Sequence, residues 1–217
     1  MYLCINIYKA ILKTMKKIII LILMSIPFVC MAQKKDITKY LAGAVPEVNG
    51  RVQFDKAYHF SIPQNEAFQK LLDYVQTQIV EGENHLEQAR ITEYDEKNGV
   101  IAASIQETLY ITRSAWVTYS TQFFYPLILQ VNADSFDISL RNIRYMYDIE
   151  TGTATHTENV RAEDWITDKE ALNKAKTKLL RVPGKYRRAT IDRKDEIFRG
   201  AAKSVGIVTT KLIEVEE

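Results

Sequence analysis

The sequence predicts a single α+β domain, an antiparallel sheet laid out as β-α-β-β-β-β and followed by a C-terminal helical pair. Three observations carry this. Between Leu86 and Ile149, apolar segments alternating with a period of two follow one another with only turn chemistry between them, as in an antiparallel meander. One amphipathic stripe separates the meander from an earlier alternating segment. Beyond Thr167 the pattern returns to that of helices.

Met15-Lys16-Lys17, the apolar run Ile18–Val29 and the small-residue pattern Cys30-Met31-Ala32 have the basic, apolar and cleavage regions of a secretory signal, cut after Ala32. Residues 1–32 are therefore read as a leader, and Met15 is a second candidate start because Met1–Thr14 add nothing such a leader needs. The apolar run is shorter than the roughly 18 residues of a spanning helix, so no transmembrane helix is expected in the mature chain. Export to the periplasm or the cell exterior follows. A lipid anchor on Cys30 is disfavoured, since Val29 stands where a lipobox needs a small residue. Cys4 and Cys30 are the two cysteines and both precede the cut, which excludes disulfide, thiolate and cysteine–zinc chemistry from the mature chain. Processing also reverses the charge. Of 29 basic residues against 27 acidic ones, Lys9, Lys13, Lys16 and Lys17 leave with the leader, so 25 remain against 27. About 185 residues suffice for one domain whose core needs no staples.

Residues 33–50 read as an extended lead-in, ending on the turn signal Asn49-Gly50. Arg51–Ile62 sets Val52, Phe54, Tyr58, Phe60 and Ile62 against polar neighbours, the first strand of a domain spanning 51–149. Pro63 closes it and suits the approach to a helix. Phe68, Leu71, Leu72, Val75 and Ile79 form a helical stripe that ends near Glu81-Gly82 and covers one face of the sheet. Leu86–Tyr94 is a weak alternator, joined to Val100–Ile111 through Asp95-Glu96-Lys97-Asn98-Gly99, whose Asn-Gly tolerates the positive φ of a hairpin. Trp116–Val131 places Val117, Tyr119, Phe123, Tyr125, Leu127, Leu129 and Val131 on one face. Pro126, without an N–H for a ladder, predicts an edge or a bulge there. In Phe136–Ile149 the apolar positions change from even (Phe136, Ile138, Leu140) to odd (Ile143, Tyr145, Tyr147, Ile149). That slip predicts a bulge or bend near Arg141-Asn142.

Residues 150–217 are expected to be a loop and C-terminal helices packed on the same domain. Glu150–Asn159 has the composition of an exposed loop. Thr167 and Glu170 are spaced as in a capping box, which predicts a helix from Asp168 to Leu180. Pro183-Gly184 breaks it, and Lys185–Lys203 carries a second helical pattern with Gly206 as its stop. Trp165, just ahead of the cap, is read as a structural staple packing the helix start on the core.

The passages Lys39-Tyr40-Leu41-Ala42-Gly43-Ala44-Val45-Pro46 and Asn49-Gly50-Arg51-Val52, then Glu163-Asp164-Trp165-Ile166-Thr167-Asp168 with Leu172-Asn173-Lys174, resemble an uncharacterised family of secreted bacterial domains. That family is described as a domain of unknown function with a TATA-binding-protein-like (TBP-like) fold. The resemblance runs from about Lys39 to Phe198 and implies a curved antiparallel sheet with helices on one face. It implies no activity, cofactor or catalytic residue, and the name of the fold transfers no DNA binding, because function lives in sites.

The residues themselves show no catalytic, metal or cofactor signature: G-x-S-x-G, G-x-x-x-x-G-K-[ST] and H-E-x-x-H are absent. His59, His85 and His156 stand far apart in sequence and read as scattered surface residues. Glu93, Asp95 and Glu96 read as solvated turn acids. An enzyme would have to assemble such groups in three dimensions, and a deep pocket holding two or more of His59, Glu93 and Asp95 would be its mark. The feature out of balance is Lys169–Lys194, with ten basic residues against Glu170 and Asp192. Behind a secretion signal the anions at hand are lipid head groups, lipopolysaccharide or acidic glycans rather than nucleic acid. Lys174, Lys178, Arg181, Lys185 and Arg188 are the candidate anion-binding residues, a solvated helix face being the plainer account. The expected function is that of a non-enzymatic binding or structural module of the bacterial envelope, whose partner is an anionic envelope component or another envelope protein.

Overall fold

The computed structural model describes residues 37–113, 116–151 and 154–207, with side chains at 148–151 and 154–156 set aside. The expected leader, both cysteines, the alternative start at Met15 and the tail beyond Ile207 lie outside the described residues.

Eight antiparallel strands form one sheet: β1 Glu47–Val48, β2 Arg51–His59, β3 Arg90–Asp95, β4 Val100–Arg113, β5 Thr118–Val131, β6 Ser135–Arg141, β7 Arg144–Thr151 and β8 Ala154–Arg161. The order is β1-β2-β6-β5-β4-β3, with β7 following β6 along the same side of β5 and β8 pairing on β7. Helix α1, Gln64–Tyr74, runs on through a π-helical turn at Val75–Val80. A single turn α2, Asp168–Ala171, and the long α3, Pro183–Ser204, complete the chain.

Alternation places Ile101, Ala103, Ile105 and Leu109 of β4 and Phe123, Tyr125, Leu127, Leu129 and Val131 of β5 on the buried face. Phe68, Leu71, Val75 and Ile79 of α1, with Tyr186, Ile197, Phe198 and Ala201 of α3, close over them. The helices thus cover one face only, and Ser104, Gln106 and Thr108 lie on the other, half-buried among neighbouring strands. Asn49 and Gly50 both take positive φ, 52° and 71°, as the tight β1–β2 turn requires. The lead-in therefore holds a 3-10 turn, Thr38–Tyr40, and strand β1.

The phase slip is a one-residue bulge. Leu127 pairs with Leu140 but Phe123 with Tyr145, so the β6–β7 side carries one residue more than β5. Asn142 absorbs it at φ 49°. Pro126 lies opposite this gap on a central strand. Val131 donates its N–H toward β4, to Gly99 O, and donor direction alternates along a strand, so the Pro126 nitrogen faces the gap, where no ladder bond is needed.

Five expectations are corrected. Glu150–Asn159 is no loop, since Ala154–Arg161 pairs with β7 from Arg144↔Arg161 to Thr151↔Ala154. The helix expected over Asp168–Leu180 stops after one turn. Asn173 Oδ1 accepts the N–H groups of Thr177 and Lys178 at 2.8 and 3.0 Å, Lys176 adopts φ 56°, and Leu172 bridges Leu179. A short polar side chain has competed for backbone donors that a helix would use. Thr167 makes no cap bond either, its hydroxyl turning back to Glu163 O. Pro183 begins α3 rather than breaking a helix, its missing N–H being harmless in a first turn. Finally, strand β3 starts at Arg90, while the residues before it meet β4 at the isolated bridge His85↔Glu107.

Candidate functional site

The basic run divides into side chains engaged inside the molecule and side chains facing water. Arg187 is the extreme case, fully buried on α3. Its Nε donates to Tyr40 O at 2.6 Å and Nη1 to Ile166 O at 2.8 Å, while Nη2 donates to Leu41 O at 2.6 Å and Asp168 Oδ1 at 2.7 Å. Asp168 also accepts the Gly43 N–H at 3.1 Å, and Glu163 Oε1 accepts the Val52 N–H at 2.8 Å. The separate passages 39–46, 49–52 and 163–168 are thereby joined by side chains that bind backbone. Burial alone would raise the Asp168 pKa, but the Arg187 and Gly43 bonds, with the charges of Arg187 and Lys176, hold it below the usual carboxylate range.

Arg193 is engaged in a second buried network. Its Nε and Nη2 grip Glu107 at 2.9 and 2.6 Å, and the Tyr125 hydroxyl donates to the same carboxylate at 3.0 Å. Burial, then the Glu107 charge, pushes the Tyr125 hydroxyl well above its ordinary value. Buried and already accepting three hydrogen bonds, this carboxylate ties β4 to α3. Lys169 pairs with Glu170, Lys176 with Asp168 and Lys194 with Asp195.

The five predicted anion-binding residues separate as well. Lys174 and Lys178 are exposed on the turns after α2, Arg181 lies just before α3 and Lys185 in its first turn. None of these four has an ion pair among the described residues. Arg188 differs: half-buried, it stacks over the Tyr40 ring at 5.2 Å, with its Nε enclosed.

The histidine and carboxylate candidates do not converge. His59 ends β2 and Glu93 and Asp95 lie on β3, with β6, β5 and β4 between them, on the order of 19 Å at the usual strand spacing. Asp95 caps its own turn, accepting from the Asn98 N–H and side-chain amide. His59 and His85 are exposed, and the His156 side chain lies outside the described ones. Glu93 lines a cleft of about 630 Å³ between α1 and β3, where its companions are Asp73, Gln69, Gln76, Leu72 and Tyr94. Among the described residues no group of three His, Cys, Asp or Glu could hold a metal ion, and no helix is long and apolar enough to cross a membrane. Trp165 stacks on Tyr186 at 4.8 Å and meets the edge of Tyr147, a packing position at the start of α2.

The model of the family described as "Domain of unknown function (DUF4468) with TBP-like fold" matches residues 60–146. A crystal structure of a DUF4468 family protein from Bacteroides ovatus is 36% identical, with a TM-score of 0.71, over 82% of this chain and 99% of that one. The chain belongs to this family. A TBP-like protein from Parabacteroides distasonis, 17% identical with a TM-score of 0.59 over 74% of this chain and 96% of that one, shares the fold. No curated protein matches the sequence. In this family member the curled antiparallel sheet with helices on one face is the TBP-like architecture, and the family is one of unknown function. The blocks 39–46, 49–52 and 163–168 meet at Arg187 and Glu163. Sequence reading missed both arginine networks. The one available signal was that Arg187 and Arg193 fall at helical spacing with the apolar residues Tyr186, Ile191 and Ile197, on the buried side of α3.

Proposed function

We propose that this chain is exported to the bacterial envelope and acts there as a non-enzymatic binding module, holding an anionic component through the basic end formed by the turns after α2 and the start of α3. One observation carries the reading. Of the ten basic residues in Lys169–Lys194, Lys169, Lys176, Arg187, Arg193 and Lys194 meet carboxylates, whereas Lys174, Lys178, Arg181 and Lys185 face water without an ion pair among the described residues. Their charge remains available to a partner. The separation of His59 from Glu93 and Asp95, and the engagement of buried Glu107 by Arg193 and Tyr125, favour a module over an enzyme. Export is supported by the leader-like Met15–Ala32, and N-terminal sequencing of secreted protein should begin at Gln33.

The test is retention on heparin and on vesicles containing phosphatidylglycerol across a salt series, for the natural chain and for a protein with Lys174, Lys178, Arg181 and Lys185 all changed to Gln. Binding should weaken as the Debye length falls from about 30 Å at 0.01 M salt to about 8 Å at 0.15 M. It should be lost in the four-glutamine protein. Salt-independent retention, or retention equal in both proteins, would eliminate the anion-binding reading.

A further inference from the structure

The end of the molecule that carries the exposed cations also carries a group of exposed apolar side chains. Of the eight large hydrophobic side chains exposed among the described residues, five belong to it: Trp116, Val117 and Tyr119 on the β4–β5 hairpin, and Leu180 and Val182 ahead of α3. One contact and one helical spacing bring these segments together. The Tyr119 hydroxyl lies 2.9 Å from that of Tyr186, in the first turn of α3. Val182 stands one helical turn ahead of Tyr186, with Cβ atoms about 5–6 Å apart. Trp116, three residues before Tyr119, lies at most about 11 Å from it along the backbone. Its indole is 94% exposed, beyond the last ladder pair, Arg113 opposite Thr118.

Single exposed hydrophobic residues need no explanation, but a cluster rimmed by cations without an ion pair among the described residues does. Resting on the anion-binding reading above, we infer that this end docks on an anionic bilayer. Trp116 and Val117 enter the interfacial layer, where an indole is at home, with Leu180 and Val182 beside them. Lys178, Arg181 and Lys185 meet the phosphates of the head groups. Charge complementarity alone would suit an acidic glycan equally. The aliphatic side chains decide against it: Val117, Leu180 and Val182 offer nothing to a hydrated polyanion and partition readily into the acyl boundary.

Trp116 and Trp165 are the two tryptophans, so Trp165→Phe leaves Trp116 as a sole reporter. Phosphatidylglycerol-containing vesicles should shift its emission to the blue and open it to quenching by brominated acyl chains, and pure phosphatidylcholine vesicles should do neither. In the otherwise natural chain, W116A with V117S should weaken binding to the anionic vesicles by about tenfold or more, as expected when part of an indole surface of about 150–250 Å² stays in water. Retention on heparin should be unchanged. Vesicle binding that is equal in W116A/V117S and natural protein, with no blue shift, would overturn bilayer docking while leaving anion binding intact. Absence of salt-dependent binding to heparin and vesicles alike would overturn both. If Trp165→Phe fails to fold, the W116A/V117S comparison decides by itself.

Discussion

Arg187 is the residue on which the fold should prove most sensitive. Its guanidinium makes four hydrogen bonds from a position without solvent access, three of them to backbone carbonyls on two separate segments, Tyr40-Leu41 and Ile166. Arg187→Met would strand those carbonyls and remove the partner of Asp168. Breaking a buried pair costs about 3–5 kcal/mol. Asp168, partly exposed, would keep Gly43 and Lys176, which places the expected loss inside that range rather than above it. Arg187→Lys preserves the charge but offers one nitrogen where a planar fork reached two segments with four bonds, so about 2–3 kcal/mol should still be lost. At about 2–4 °C per kcal/mol for a domain of this size, the methionine variant should melt about 6–20 °C lower. Equilibrium urea unfolding followed by tryptophan fluorescence measures both. A lysine variant as stable as the natural chain would refute the claim that fork geometry, rather than charge, ties the segments together. A loss below about 1 kcal/mol in the methionine variant would refute the network altogether.

Asp168 supplies a pH test: its folded-state pKa lies below the ordinary 3.8, so its contribution is present above that value and lost as pH falls through the depressed one. The stability gap between the natural chain and Asp168→Asn should therefore be constant near neutrality and close below about pH 4, and a gap that persists undiminished at lower pH would contradict the assignment. Gly200→Ala should reverse the usual rule. A helical Gly→Ala ordinarily gains about 1 kcal/mol, but here the methyl would overlap the Tyr74 ring, which is pinned by its hydroxyl bond to Ile197 O at 3.0 Å. The change should destabilise the natural chain and stabilise a Tyr74→Ala background, as thermal melts of the four proteins would show; stabilisation in both would exclude the clash.

Local pattern was enough for the sheet, and the reason is that alternation and turn chemistry are short-range. The β4 and β5 faces, the Asn98-Gly99 turn and the Arg141-Asn142 bulge each follow from residues within one strand length of one another. The bulge could be read because a one-residue slip turns every later side chain over, and leaves its trace in the sequence as the change from even to odd apolar positions. Strand β8 left no such trace. Thr157, Glu158 and Asn159 supply no apolar alternation, and it is pairing with β7 that identifies them as a strand.

Tertiary structure alone decided the rest. The capping-box spacing at Thr167 and Glu170 was outcompeted by the Asn173 side chain and the Leu172–Leu179 bridge, contacts that a helical template does not contain. Ten basic residues look alike in a sequence. Whether a guanidinium meets three carbonyls and an aspartate, as Arg187 does, or faces water, as Arg181 does, depends on distant segments: Tyr40 and Leu41 lie 147 and 146 residues from Arg187, and Glu107 lies 86 residues from Arg193. The amino-acid sequence by itself determined which segments alternate and where they turn. Which charges remain available to a partner was settled by folding, since a charge is neutralised by its neighbours in space and not by its neighbours along the chain.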